Sequence, residues 1–290
     1  MVPKTPVAHV PATGAQVLID FDGTAMVRTS AGRFLRLQAP PPGLWDVLTG
    51  ASAGDEATAA YLAALQEEMT SREAADARHR WPVSRRTVGL LGSGAVIDEL
   101  AQALGEWGVS TQRYATSAQL LATRHPGPEG EPVTGEGGSV APVLVIAYAD
   151  SPAERADWDR LDVLPGAGVA WLRAYREGGN CFVDPIGVTA EDPGSEQVRR
   201  RRLAASLVPG QLAAWQRAAP ADGRPMPSSA RIFLVGRILA VSLAWAQETA
   251  LLEEYRQTLW KFVPATGTVS EHPVLGYAPP HVPDEPVIRR

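Results

Sequence analysis

Residues 86–104 read RTVGLLGSGAVIDELAQAL, and this stretch decides the fold. An apolar strand runs into a glycine turn and then into an amphipathic helix, which is the opening of a nucleotide-binding α/β unit. The pattern is incomplete. Of G-x-G-x-x-G only Gly92 and Gly94 are present, and Ile97 stands at the third glycine position. The next predicted strand, Val109 to Tyr114, should carry an acidic residue for a ribose and offers Arg113 and Tyr114 instead. A scaffold that keeps the turn and lacks the ligand contacts points to binding or assembly. Gly92 and Gly94 are therefore read as a vestigial loop, with no cofactor bound.

Working toward the C-terminus, a helix is predicted from Ser117 to Thr123, followed by a flexible glycine, proline and glutamate loop at 126–140. Val143 to Tyr148 is an almost unbroken apolar run, as in a strand buried on both faces of a parallel sheet. A helix over Pro152 to Leu161 and the strand GVAWLRAYRE (Gly168 to Glu177) come next, and Glu177-Gly178-Gly179 turns the chain into NCFVDPIGV. The order β-α-β-α-β-α-β-β fits a doubly wound sheet with a terminal hairpin. The rest reads as helices at Ser195–Val208, Leu212–Arg217 and Ser229–Leu252, one strand-like piece at Leu259–Val269, and the loop EHPVLGYAPPH.

Working toward the N-terminus, Trp81-Pro82 marks a domain join. Before it lie three short strand-like runs, Val17 to Phe21, Thr24 to Thr29 and Arg33 to Gln38. Asp22-Gly23 is a strong hairpin signal between the first two, and Ser30-Ala31-Gly32 turns into the third. In that third run Phe34, Arg36 and Gln38 share one face, and Leu35 with Leu37 the other. Prolines 40–42 stop the sheet, a short helix carries Leu44, Trp45 and Leu48, and a longer helix from Glu56 to about Ala77 carries Tyr61, Leu62, Leu65 and Met69. The expected division is a flexible tail at 1–14, an α+β module of three antiparallel strands plus helices at 15–80, and an α/β domain with a helical C-terminal part at 81–290.

Composition narrows the function. The 290 residues are 45% hydrophobic and 20% charged with a net charge of -5, so the chain is globular and has no electrostatic case for nucleic acid. The run Arg199 to Arg202 reads as a solvated helix start. The one cysteine, Cys181, allows no internal disulfide and no cysteine-based zinc site, and its apolar neighbours predict an inert, buried thiol. Ile232 to Ala246 is apolar but about 15 residues long and contains Arg237, too short for a bilayer core of about 30 Å. With no basic segment before an apolar stretch at the N-terminus, a cytoplasmic location is expected. His9, His79, His125, His272 and His281 show no metal spacing, Asp20 and Asp22 flank a turn, and no P-loop or G-x-S-x-G elbow is present. No catalytic and no metal-binding residues are assigned.

The order of these pieces resembles the ThiF-like leader-peptide-binding subunits that accompany YcaO-type cyclodehydratases in making thiazole- and oxazole-modified ribosomal peptides. The phrase GVAWLRAYREGGNCFVDPIGV (Gly168 to Val188), the apolar helix at Ile232 to Ala246 and the phrase Glu271-His272-Pro273-Val274-Leu275 carry the likeness, which spans about residues 15 to 282. The N-terminal module resembles the RiPP recognition element, a PqqD-like, winged-helix-like fold that captures leader peptides. Two departures stand out: the glycine loop is partial, and the paired CxxC zinc ligands of many members are absent.

The resemblance implies a non-catalytic subunit that delivers a precursor peptide to a modifying enzyme, a YcaO-type cyclodehydratase first, with a homodimer as a possible assembly and no membrane partner. The peptide would add as a strand to the edge formed by Arg33, Phe34, Leu35, Arg36, Leu37 and Gln38, walled by Tyr61, Leu62, Leu65 and Met69. Arg33 and Arg36 would suit acidic leader residues. The alternatives are an ATP-dependent ThiF-type adenylating enzyme and a nicotinamide-dependent reductase.

Overall fold

The computed structural model describes residues 7–19, 24–123, 141–221 and 223–276. The chain divides into two units, Met1–Arg80 and Trp81–Arg290. The predicted Asp22-Gly23 turn and the 126–140 loop lie outside the described residues.

The first unit is built on strict strand alternation. Strands β1 (Val7–His9), β2 (Gln16–Ile19), β3 (Ala25–Arg28) and β4 (Phe34–Arg36) pair antiparallel in that spatial order. Ala8, Val17, Ala25 and Val27 point inward, and Met26 and Arg28 point out. The predicted module therefore gains a fourth strand. Residues 7–9, expected to belong to a loose tail, are held by pairing of Val7 with Leu18 and His9 with Gln16, because Ala8 and Val10 reach the core. Between β3 and β4 the turn uses Gly32 at φ 81°, a left-handed conformation that glycine adopts without steric cost.

Helices α1 (Leu44–Leu48) and α2 (Glu56–Arg80) follow. Asp55 accepts from the Thr58 backbone N–H at 2.7 Å and starts α2, and the Thr58 hydrogen bonds lower the Asp55 pKa. Along α2, Thr58, Leu65 and Met69 are buried and Tyr61 and Leu62 half-buried, so one stripe packs on Val17, Val27 and Leu37.

The second unit holds a seven-stranded mixed sheet in the order β11-β10-β9-β8-β7-β5-β6. Strands β5 (Thr87–Leu91), β6 (Ser110–Tyr114), β7 (Leu144–Ala149) and β8 (Ala170–Glu177) are parallel. The chain leaves β5 through helix α3 (Ala95–Glu106) to β6, then through α4 (Ser117–Ala122) to β7 on the other side of β5. The doubly wound half is thus as predicted, and all six residues of β7 are buried because helical layers cover both its faces. Strands β9 (Asn180–Val183), β10 (Thr258–Val263) and β11 (Thr268–Pro273) extend it antiparallel.

One face of the sheet packs Val88, Leu90, Ile146 and Leu172 against α3 and the long helix α7 (Ser228–Gln247). The other packs Val145, Ala147, Trp171 and Phe182 against Leu120, Trp158, Leu161 and Val198. Helices α5 (Ser195–Ala204) and α6 (Pro209–Ala218) lie on this second side.

Four expectations change. Residues 152–161 form two short 3₁₀ turns, Ala153–Arg155 and Trp158–Leu161, instead of one helix. The backbone bonds here run three residues back, Arg155 N–H to the Pro152 carbonyl and Arg160 N–H to the Asp157 carbonyl, and the Ala153 N–H goes instead to the Ala219 carbonyl at 3.1 Å. The helix predicted over Ser229–Leu252 breaks at Glu248 into α7 and α8 (Leu251–Tyr255), where Glu248 is left-handed at φ 51°. The Arg85 guanidinium takes the Trp245 carbonyl and the Glu248 carboxylate there, so the chain ends its helix on that cation. Leu259–Val269 is the hairpin β10–β11, closed by Thr266 N–H on the Val263 carbonyl at 3.2 Å. Glu271-His272-Pro273 ends a strand and does not start a loop.

At 20 residues α7 is also longer than its apolar stretch suggested, and it is long and apolar enough by length to cross a membrane. Half of that window is buried here, with Leu234, Ile238, Val241 and Trp245 in the core.

Candidate functional site

In the first unit β4 is an edge strand among the described residues, where β3 is its one neighbour. Leu37 N–H donates to the Ala25 carbonyl at 2.9 Å, and Thr29 N–H to the Arg33 carbonyl at 2.8 Å. Residues 33, 35 and 37 therefore turn their backbone groups toward β3. By the antiparallel alternation, Phe34 and Arg36 turn theirs away from it, with no strand pairing to them among the described residues.

Beside this edge runs a groove of about 300 Å³. It brings together Leu35, Arg36, Leu37 and Gln38 from the edge and Leu65 and Met69 from α2, six of the ten residues expected at the site. The other four lie outside its lining. Arg33 sits at the turn, its N–H on the Thr29 hydroxyl at 3.1 Å. Phe34 points to the opposite face and is 56% exposed. The Tyr61 hydroxyl donates to the Gln38 carbonyl at 3.1 Å, and burial raises its pKa. Leu62 packs against the core.

Val27, Glu68 and Arg72 join the lining. Glu68 and Arg72 follow Leu65 and Met69 by one helical turn, a spacing from which they could have been read. They pair at 2.6 Å. Arg33 and Arg36 are exposed and make no ion pair among the described residues, so the edge presents uncompensated positive charge. Apolar walls, open backbone groups and cationic rims form a site that can hold an extended, acidic chain.

In the second unit a crevice of about 600 Å³ opens past the C-terminal ends of β5, β6 and β7, at the point where the strand order reverses. An adenosine nucleotide, which the fold implies, does not suit its residues. A Cβ on Gly92 would lie 2.3 Å from the Tyr148 carbonyl oxygen, so this glycine serves the close approach of β7, and its N–H is already held by the Tyr114 carbonyl at 3.1 Å. Arg113 stands where a ribose acid would be and pairs with Asp98 at 2.6 Å. Glu154 and Asp157 line the cleft and would repel a triphosphate. Zinc has no ligand set among the described residues. Cys181 is buried and burial pushes its thiol up to about 11.

A buried ionic cluster escaped sequence reasoning. Glu177 accepts from both Arg155 and Arg202, and Arg173 joins Asp162 at 2.7 Å and Asp184 at 3.0 Å. Tyr175 donates to Asp184 at 2.9 Å and lies under the Arg155 guanidinium at 3.9 Å. Burial raises the Asp184 pKa, with Arg173 opposing. The available signal was the placement of Arg173, Tyr175 and Glu177 at alternate positions of one apolar strand.

No protein-family model and no curated protein matches the chain. Among solved structures it is similar to a chain of the E. coli microcin synthetase McbBCD complex with pro-MccB17 bound, at 11% identity and a TM-score of 0.46, covering 96% of this chain and 97% of that one. It is similar to E. coli MccB with MccA at 9% identity and a TM-score of 0.46, covering 95% and 96%. A heterocyclase in complex with substrate and cofactor aligns at 12% identity and a TM-score of 0.47, covering 94% of this chain and 38% of that chain.

Proposed function

We propose that this chain is a non-catalytic precursor-peptide-binding subunit of a ribosomal-peptide-modifying complex, with a YcaO-type cyclodehydratase as its partner enzyme. The observation that carries the reading is the 300 Å³ groove beside the open edge of β4. A leader segment would lie along Phe34–Arg36 as a fifth strand, its main chain bonding to the Phe34 and Arg36 backbone groups. Its apolar side chains would enter between Leu35, Leu37, Leu65 and Met69, and its acidic ones would face Arg33 and Arg36. Binding the leader holds the remainder of the peptide at about millimolar local concentration beside a partner enzyme, so the chain contributes to turnover without performing chemistry.

The test is hydrogen–deuterium exchange of the full chain, with and without a synthetic leader-type peptide that alternates apolar and acidic residues. Saturable binding with slowed exchange of the Phe34 and Arg36 amides is expected. Binding with protection elsewhere and none on β4 would sink the reading. ATP–pyrophosphate exchange above background, with the precursor present, would instead favour the adenylating alternative.

A further inference from the structure

The densest basic run of the chain, Arg199–Arg202, divides in the folded state. Arg199 and Arg200 turn back onto Glu196 at 2.7 and 2.6 Å on the exposed side of α5. Arg202 goes inward to Glu177. Arg201 does neither: its Nε donates to the Pro273 carbonyl at 3.2 Å, and its side chain lines a separate pocket of about 310 Å³.

The floor of this pocket is apolar. Phe182 and Leu259 are 5% and 3% exposed, and Leu212 closes it from α6. Its charged groups are all of one sign. Arg201, Arg202 and Lys261 line it with His272, and no carboxylate does so among the described residues. Arg202 is neutralised by Glu177, whereas Arg201 and Lys261 have no ion-pair partner among the described residues. Strand register fixes this arrangement, since Lys261 lies between Phe182 of β9 and Ser270 of β11, and Leu259 lies opposite His272. The larger pocket on the same face is different, because Asp159, Asp184 and Glu196 line it among its arginines, and Arg173 and Arg199 pair with Asp184 and Glu196. In a chain with a net charge of -5, two half-buried cations without counter-charges over an apolar floor are an isolated feature.

We infer that this pocket binds a monocarboxylate with an apolar body. A carboxylate suits the Arg201 guanidinium, which lines the pocket and has its Nε alone held by the Pro273 carbonyl, and the Lys261 ammonium would supply the second charge-assisted bond. A single negative charge matches two cations without the desolvation cost of a multiply charged ion, and the floor takes an aliphatic or aromatic body. The volume is at the small end of ligand sites, which span roughly 300–1,000 Å³. The carboxylate has two sources, the C-terminus of a peptide or a free organic acid.

The experiment titrates the full chain with 3-phenylpropionate and with N-acetyl-phenylalanine, followed by ¹H–¹⁵N correlation spectra, beside their primary amides and inorganic phosphate. Saturable shifts at Phe182, Leu259 and Lys261 are expected, with a Kd on the order of 1 mM. The amides should bind at least tenfold more weakly. Lys261→Met keeps the apolar stem and should weaken the acid at least fivefold at unchanged melting temperature, as should Arg201→Met. Tighter binding of N-acetyl-phenylalanine assigns a peptide C-terminus as the source, and tighter binding of 3-phenylpropionate a free acid. Equal binding of acid and amide overturns the inference. So does phosphate binding more tightly than either acid, or a folded Lys261→Met/Arg201→Met double variant that binds as the native chain does.

Discussion

Arg36→Pro separates the backbone of the β4 edge from its side chains. The Arg36 N–H points away from β3, because the ladder bonds belong to positions 33 and 37. Proline there removes an outward donor and no ladder bond, and Leu35 before it is already extended, as a residue preceding proline prefers. Arg36→Ala removes the same guanidinium and keeps the donor, so the difference between the two variants isolates one main-chain hydrogen bond to the peptide. Such a bond contributes about 0.5–1.5 kcal/mol net, and stranding the peptide carbonyl adds a desolvation cost of similar size. The sum of about 1–3 kcal/mol corresponds to roughly 5- to 150-fold in affinity. The assay is fluorescence polarisation with a labelled leader peptide, alongside thermal melts to check that both variants fold. Arg36→Ala is expected to bind a few-fold more weakly than the native chain, and Arg36→Pro at least roughly fivefold more weakly than Arg36→Ala. Folded Ala and Pro variants with the same Kd would refute strand addition at β4.

Three further outcomes follow from named contacts. Arg33→Glu with Arg36→Glu should weaken leader binding at least tenfold at low salt, and the loss should shrink toward 0.5 M salt, because both sites are exposed and screened; a salt-independent loss would show that charge is not its cause. Glu177→Gln leaves the buried Arg155 and Arg202 facing an amide, at a cost of about 3–5 kcal/mol, so the second unit should melt roughly 6–20 °C lower; a shift under 2 °C in calorimetry would contradict the pairing. With its thiol pushed up to about 11, Cys181 carries on the order of one thiolate in a thousand at pH 8, so a disulfide reagent should modify it slowly in the native chain and promptly in urea. The native rate should rise as pH approaches the raised value. Fast modification of the native chain at pH 8 would mean that the residue is accessible.

The crevice of the second unit illustrates why a motif is not a site. Gly92 and Gly94 keep positive φ angles of 116° and 85°, so the local turn of a nucleotide-binding loop is preserved. The space above it is bounded by Glu154 and Asp157, which come from a segment some 60 residues later and give it the wrong sign for phosphates. The departures visible in sequence, Ile97 and Arg113, already pointed the same way.

Periodicity and turn chemistry alone determined the elements whose environment is local or uniform. The all-apolar run at 143–148 could be read as a doubly covered strand because both faces meet the same solvent-free surroundings, and α2 could be read from the repeat of Tyr61, Leu62, Leu65 and Met69. Strands as short as residues 7–9 carry too few side chains for a period to register, and pairing with β2 decided them. Tertiary contacts likewise ended α7, where Arg85 claims the last carbonyls, and tied the 152–161 segment to the end of α6 through the Ala153 N–H on the Ala219 carbonyl. Six of the groove's residues are named from sequence, Val27, Glu68 and Arg72 are not, and which side chains meet in it depended on the strand register. Register put Leu35 and Leu37 against α2, sent Phe34 to the far face, and aimed the Arg36 amide outward, because a β-strand alternates its faces while a helix presents a fixed stripe.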